Sequence, residues 1–204
     1  GRAYWMKGDY ENARIALEKA LKCSEINATG LQLWDYNQMI SQWGYNPSKP
    51  HAWTSGFPAN NTGANKEVIY NYQYAISTIS SATGQPKLFV KDEYMDLYGE
   101  DDLRRRFFSN KATSGTPLEG YRRLPCRTTF SLGADMTDLY LMLIECQVRS
   151  TDLSIQNEGR VNLEYFRRHR MPAETAVIPD DIDNQEKLIR FVVEERLPEF
   201  AGLT

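Results

Sequence analysis

The stretch Asp135-Met-Thr-Asp-Leu-Tyr140-Leu-Met-Leu-Ile-Glu145-Cys-Gln-Val-Arg149 decides how this chain folds. Asp135 has the side chain that caps a helix start, and Met136, Leu139, Tyr140, Leu143 and Cys146 then recur at the three- and four-residue spacing of one helical face. That spacing predicts a helix to about Arg149 whose wide apolar face needs other helices to cover it. One residue does not fit this setting. Glu145 is a carboxylate in a strongly apolar helix, and a buried carboxylate needs a cation beside it or it takes up a proton.

Working outward toward the C-terminus, the pattern predicts a second helix over roughly Gln156 to Arg170, with Pro172 helping to end it. In a third, Asp183 followed by Glu186 reads as a capping box, with Leu188, Ile189, Val192 and Val193 facing the core. Pro198 lacks a backbone donor and is expected to kink that helix. Toward the N-terminus, Ala3-Tyr-Trp-Met-Lys-Gly8-Asp-Tyr10-Glu-Asn-Ala13-Arg-Ile-Ala-Leu17-Glu-Lys-Ala20-Leu21 follows the turn and second helix of a tetratricopeptide repeat. Gly8 should end one helix, Tyr10 should pack into the hairpin, and the small Ala13 and Ala20 should let two helices approach. Arg2 to Met6 read as the tail of a helix whose beginning lies upstream.

Between these helical ends the chain changes character. Residues Leu31 to Trp43 support a helix only loosely, through Leu33, Trp34, Met39 and Ile40. Gly44 to Asn65 carries three prolines and three glycines, which is loop composition, yet it holds Tyr45, Trp53 and Phe57 beside Trp43. A long loop bearing large aromatic rings is a candidate for function. Glu67 to Tyr74 alternates as a strand does; Lys87 to Val90 and Gly120 to Leu124 are possible short strands, and Asp92 to Tyr98 reads as a short helix. The expected organisation is a single region of three stretches: repeat-like helices over 1–43, a loop-rich and partly β segment over 44–130, and C-terminal helices over 131–204.

With 24 basic and 27 acidic residues the net charge is −3, so no global field draws the chain to nucleic acid or an anionic bilayer. The arginine clusters at Arg104 to Arg106 and at Arg167, Arg168 and Arg170 have acids to answer them: Glu100, Asp101 and Asp102 for the first, Asp180 to Glu195 for the second. Ion-pair networks are the expectation. Cys23, Cys126 and Cys146 form no CxxC pair and no metal-ligand spacing, so they read as buried free thiols. No apolar run is long enough to cross a bilayer.

Catalytic signatures are missing from the sequence. It has no nucleophile elbow, no HExxH helix and no phosphate-binding glycine loop, and its only two histidines are His51, in the aromatic loop, and His169, among arginines. Asp101-Asp102 and Asp180-Asp181 sit where turns and helix caps use acids, and Asp180 to Glu186 lacks the glycine and closing glutamate of a calcium loop. No metal ligand, cofactor or catalytic residue is assigned.

Six motifs now stand in order along nearly the whole chain: the repeat-like start; Asn65-Lys-Glu-Val-Ile; Leu97-Tyr-Gly-Glu-Asp-Asp102-Leu-Arg104; Tyr140-Leu-Met-Leu-Ile-Glu145-Cys; Tyr165-Phe-Arg-Arg-His-Arg170; and Val193-Glu-Glu-Arg196. In this order they resemble the SusD/RagB family. The departures are Pro198 inside the Glu-Arg helix and a chain that stops at Phe200-Ala-Gly-Leu-Thr204, before the family's Glu-Gly-x-Arg motif, so the region reads as truncated at both ends.

The resemblance implies a mainly α, SusD-like fold with tetratricopeptide-repeat-like hairpins and a small irregular, partly β insertion. It also implies a non-enzymatic protein that captures extracellular oligosaccharide, or another nutrient, for a SusC-like TonB-dependent transporter. Such proteins lie at the Bacteroidetes outer-membrane surface, held by a lipid anchor outside this stretch. Ligand contact would then fall to the aromatic loop, with Trp43, Tyr45, Trp53 and Phe57 to stack on sugar C–H faces and Asn60 and Asn61 to meet hydroxyls. Glu145, at the place of the family's Ala-Glu-Ala glutamate, is expected to pair with Arg170 or Arg196. Two other classes remain open: a helical-repeat protein-interaction scaffold, marked by a concave groove, and a glycoside hydrolase-associated domain, marked by facing carboxylates across a cleft.

Overall fold

The computed structural model describes residues 1–26, 31–38, 67, 69, 73–74, 89–108, 110, 117–123, 130–131 and 134–200. It is mainly helical. In chain order the elements are α1 (Arg2–Met6), α2 (Tyr10–Ile26), β1 (Gln73–Tyr74), β2 (Phe89–Lys91), 3-10 helices at Asp92–Leu97 and Leu103–Phe107, β3 (Tyr121–Arg123), β4 (Phe130–Ser131), α3 (Met136–Val148), α4 (Leu153–Arg168) and α5 (Gln185–Phe200).

The α1–α2 hairpin forms where Gly8 takes a left-handed φ of 75°, a conformation that costs other residues a Cβ clash. The turn is closed by Gly8 N–H donating to the Trp5 carbonyl and Asp9 N–H to the Tyr4 carbonyl, both at 3.0 Å. Asp9 then accepts from Asn12 N–H as α2 begins. Ala13 and Leu17 are buried on the side of α2 that meets Leu139, Met142, Leu143 and Cys146 of α3, while Trp5 and Tyr10 pack beside them. Ala20 does not take part. It is exposed, although it lies seven residues from Ala13 on nearly the same face of α2.

α3 is the axis of the bundle. Asp135 caps it, accepting from Asp138 N–H at 2.7 Å, and every residue from Met136 to Val148 is buried except Tyr140. Its second side, Met136, Leu141, Ile144 and Val148, joins Leu163 and Phe166 of α4, Leu188 and Val192 of α5, and Leu33. α3 is buried nearly all round, its polar Thr137, Asp138, Glu145 and Gln147 included, so the apolar face read from the sequence was too narrow an expectation. Each buried apolar side chain contributes about 1.5–3 kcal/mol by leaving water.

The neighbouring helices depart from expectation at their ends. α4 starts at Leu153 because Asp152 caps it through Ser154 N–H at 2.8 Å, earlier than the apolar spacing suggested. α5 is capped by Asn184, whose carbonyl and side chain accept from Leu188 N–H and Lys187 N–H at 3.0 Å; Asp183 instead pairs at the surface with Lys187. Val193, expected in the core, is 40% exposed. α5 continues through Pro198 to Phe200.

The β structure is slight among the described residues: β1 pairs antiparallel with β4 and β2 with β3, the latter in the register Phe89↔Arg123, Val90↔Arg122 and Lys91↔Tyr121. The Asp92–Leu97 segment follows β2 as a 3-10 helix. Cys146 is buried, whereas Cys23, near the open end of α2, is exposed and corrects the expectation of a buried thiol; Cys126 lies outside the described residues. No helix among the described residues is long and apolar enough to cross a membrane.

Gly159 marks the closest approach of α4 to α3. A Cβ there would stand 2.8 Å from Val148 Cγ1 and 3.1 Å from the Val148 backbone nitrogen. Gly159→Ala should therefore destabilise the fold by about 1–3 kcal/mol despite alanine's better helix propensity, read as a lower denaturant midpoint at unchanged slope.

Candidate functional site

Four of the six motifs that carried the resemblance, those holding Glu67, Arg104, Arg170 and Glu195, converge on one buried network of ion pairs. Asp102 initiates it. Its side chain accepts the Arg104 N–H at the start of the 3-10 helix and grips the same residue's guanidinium, with Nε at 2.9 Å and Nη2 at 2.6 Å. Arg104 reaches on to Glu195 at 2.6 Å and Glu199 at 3.0 Å, both on α5. Glu195 is shared with Arg167 of α4, whose remaining donors meet the carbonyls of Thr175 and Ala176 at 3.0 Å.

Arg170 extends the network into the core. It is wholly buried and donates to Glu199, to Glu67 at 2.8 Å, to the Trp34 carbonyl at 2.8 Å and to Thr137 Oγ1 at 3.0 Å. Its guanidinium also lies 4.4 Å from the Tyr36 ring centroid and 4.9 Å from that of Phe166. Burial by itself would push Arg104 and Arg170 toward the neutral form, but the carboxylates around them prevail and raise both pKa values. Glu199 shows the converse: burial favours its protonation, yet Arg170 and Arg104 hold it below the usual carboxylate range.

A second, smaller array surrounds Glu145. The residue is buried as expected for its helix, but its cation is Arg149, one turn on at the C-cap of α3, with Nε at 2.9 Å. Trp5 Nε1 donates to the other carboxylate oxygen at 3.1 Å. The expected partners are engaged elsewhere: Arg170 as above, and Arg196 with Asp138 at 2.9 Å and stacked 5.1 Å from the Trp5 ring. The correction has a geometric cause. Residues four apart on one helix are neighbours, and α1 brings an indole donor to the other side of the carboxylate. Beside it, burial first and the Glu145 charge second push the Cys146 thiol up to about 12, leaving it unreactive.

Other sequence candidates resolve simply. Trp43, Tyr45, Trp53, Phe57, Asn60 and Asn61, with His51, lie outside the described residues. His169 is half-buried, its Nδ1 2.8 Å from the Tyr165 carbonyl and its ring edge-on to Tyr165, which is a packing role. Within the acidic stretch expected to answer the second arginine cluster, Asp180 and Asp181 are exposed and it is Glu195 that meets Arg167; Glu199, beyond that stretch, meets Arg170 and had no signal of its own apart from its place on the last helix. Among the described residues no group of acids, histidines or cysteines could hold a metal ion.

Above the network, residues of the 97–104 turn, the loop after α4 and α5 enclose a cavity of about 300 Å³. Arg104, Asp102 and Glu195 line its base. No family model matches the chain, and no curated protein matches it at a significant level.

Two outcomes follow from these charges. Replacing Arg104 by Leu strands Asp102 in the core, leaves Glu195 to Arg167 alone and should cost about 3–5 kcal/mol, whereas Glu145→Gln keeps the Trp5 bond and releases Arg149 to water, at a cost of about 1 kcal/mol; chemical denaturation of the two variants separates them. Asp135, half-buried at the N-cap, has its pKa raised from 3.8 to about 6, by burial first and then by the charges of Glu67, Asp138 and Glu199. A raised folded-state pKa means that the ionised carboxylate costs stability, a cost absent below 3.8 and complete above about 6. Asp135→Asn retains a capping oxygen, so it should stabilise the protein by about 1–2 kcal/mol at pH 8, with the gain vanishing as pH falls toward 4.

Proposed function

We propose that this chain is a SusD/RagB-like capture protein: a non-catalytic component at an outer-membrane surface, lipid-anchored, that retains an extracellular oligosaccharide and delivers it to a SusC-like TonB-dependent transporter. The observation that carries this reading is the order of the six motifs along the chain. Three of them, Leu97 to Arg104, Tyr165 to Arg170 and Val193 to Arg196, meet side by side through Arg104, Arg167, Arg170 and Glu195. Such convergence supports treating the series as the signature of one fold and not as scattered matches. The buried carboxylates Asp102, Glu195 and Glu199 are each gripped by guanidinium groups, an arrangement suited to holding a scaffold and poorly suited to proton transfer.

Oligosaccharide contact falls, on this reading, to the aromatic loop, where rings can stack on sugar C–H faces. Trp53→Ala should reduce retention of the protein in glycan-containing native gels by about tenfold while the melting temperature stays nearly unchanged. A large loss of stability with undiminished retention would assign Trp53 to the core and remove the loop from the binding surface.

A further inference from the structure

The cavity above the ion-pair network has the construction of a second binding site. Its floor is Asp102, Arg104 and Glu195, each at least nine-tenths buried and bonded to one another, so it is rigid before any ligand arrives. Its walls are apolar: Met171, Phe191 and Pro198 stand against it, and Leu97, 40% exposed, shows its hydrocarbon to the opening. A cavity of about 300 Å³ lies at the small end of ligand sites, enough for a side chain or a compact fragment.

Charge selects the ligand. Five carboxylates line the cavity against two guanidinium groups. Asp102 and Glu195 are committed to Arg104 and Arg167 in the floor. Glu194 has Arg190 at 2.7 Å, on the exposed surface where such pairs are weak. Glu100 and Asp101 are exposed at the mouth and have no ion-pair partner among the described residues. A recess with excess charge of one sign concentrates the opposite sign and repels anions. Apolar walls below an acidic mouth suit a cation carried on a hydrocarbon stem: the stem leaves water against Leu97, Met171 and Phe191 while the head meets the carboxylates.

We propose that this cavity binds a small organic cation with a free aliphatic tail, the tail inserted and the charge at the mouth, with a guanidinium preferred to an ammonium because its planar fork meets a carboxylate in two places. The lining residues named here are not those proposed to meet oligosaccharide, so the outcome is read independently of that capture.

The test is an NMR titration of the whole chain with n-butylguanidinium, against butyrate and neutral n-butylurea as controls of similar shape. Expected are saturable shifts at the Leu97 and Met171 methyls and the Phe191 ring, with a millimolar Kd of about the size a fragment gives. The Glu100→Gln, Asp101→Asn double variant changes only exposed groups and should weaken binding about tenfold, as should raised salt. Gly99→Trp should abolish it, since a Cβ there meets nothing within 4 Å and the indole can fill the opening without strain. No saturable shift up to about 20 mM, equal binding of butylurea or butyrate, or undiminished binding by the double variant would each overturn the proposal.

Discussion

A guanidinium wholly removed from water is the constraint around which this structure is arranged. Arg170 has no exposed surface, and the cost of burying its charge is recovered only if carboxylates and carbonyls surround it. Glu199 of α5, Glu67, the Trp34 carbonyl and the Thr137 hydroxyl do so, which draws four separated parts of the chain to the end of α4. Backbone bonds tighten the same junction: Leu103 N–H donates to the Arg170 carbonyl at 3.0 Å and Tyr36 N–H to that of His169 at 2.9 Å. The turn bearing Asp102 and Arg104 is thereby seated against α4 and α5, and the cavity is a consequence of that seating.

The apolar counterpart of this junction is α3. Buried on nearly all sides, it offers one side to the α1–α2 hairpin and the other to α4 and α5. Such a helix has little freedom to shift, because α4 approaches within contact of its backbone at Gly159 and interior packing tolerates little change in volume. The two ionic arrays differ accordingly. The one around Arg104 and Arg170 ties elements together across the fold, while Glu145 and Arg149 satisfy each other within a single helix and meet the hairpin only through Trp5 and the Tyr10 ring, 4.7 Å from Arg149.

For function, rigidity and neutralised carboxylates belong together. For the proposed capture role, a scaffold that does not rearrange on binding is an advantage, since ordering costs are then met in folding. Glu199, kept ionised by two arginines, contributes stability that is present above its ordinary pKa of 4.5 and is lost as pH falls below it, opposite in sign to the effect of Asp135. The fold is thus held by its arginine network through neutral pH and yields it only in acid.

The helices were legible in the sequence because their causes are local. Asp135 as a cap, Gly8 as a hairpin break and the apolar spacing of α3 and α5 act within a few residues, where periodicity and side-chain chemistry suffice. The need of Glu145 for a partner was also readable, since a carboxylate among Leu and Ile cannot stay charged alone. Which partner it takes was not: Arg149, Arg170 and Arg196 are chemically equivalent in a sequence, and only the direction in which each side chain leaves its helix separates them. The same holds for Glu199, which looks like any acid near a chain end until α5 lays it between Arg104 and Arg170. Sequence alone determined that this protein is a helical bundle with charge to be compensated inside it; the tertiary structure decided which charges meet and where a cavity remains, because ion pairing depends on distances between segments that no local pattern encodes.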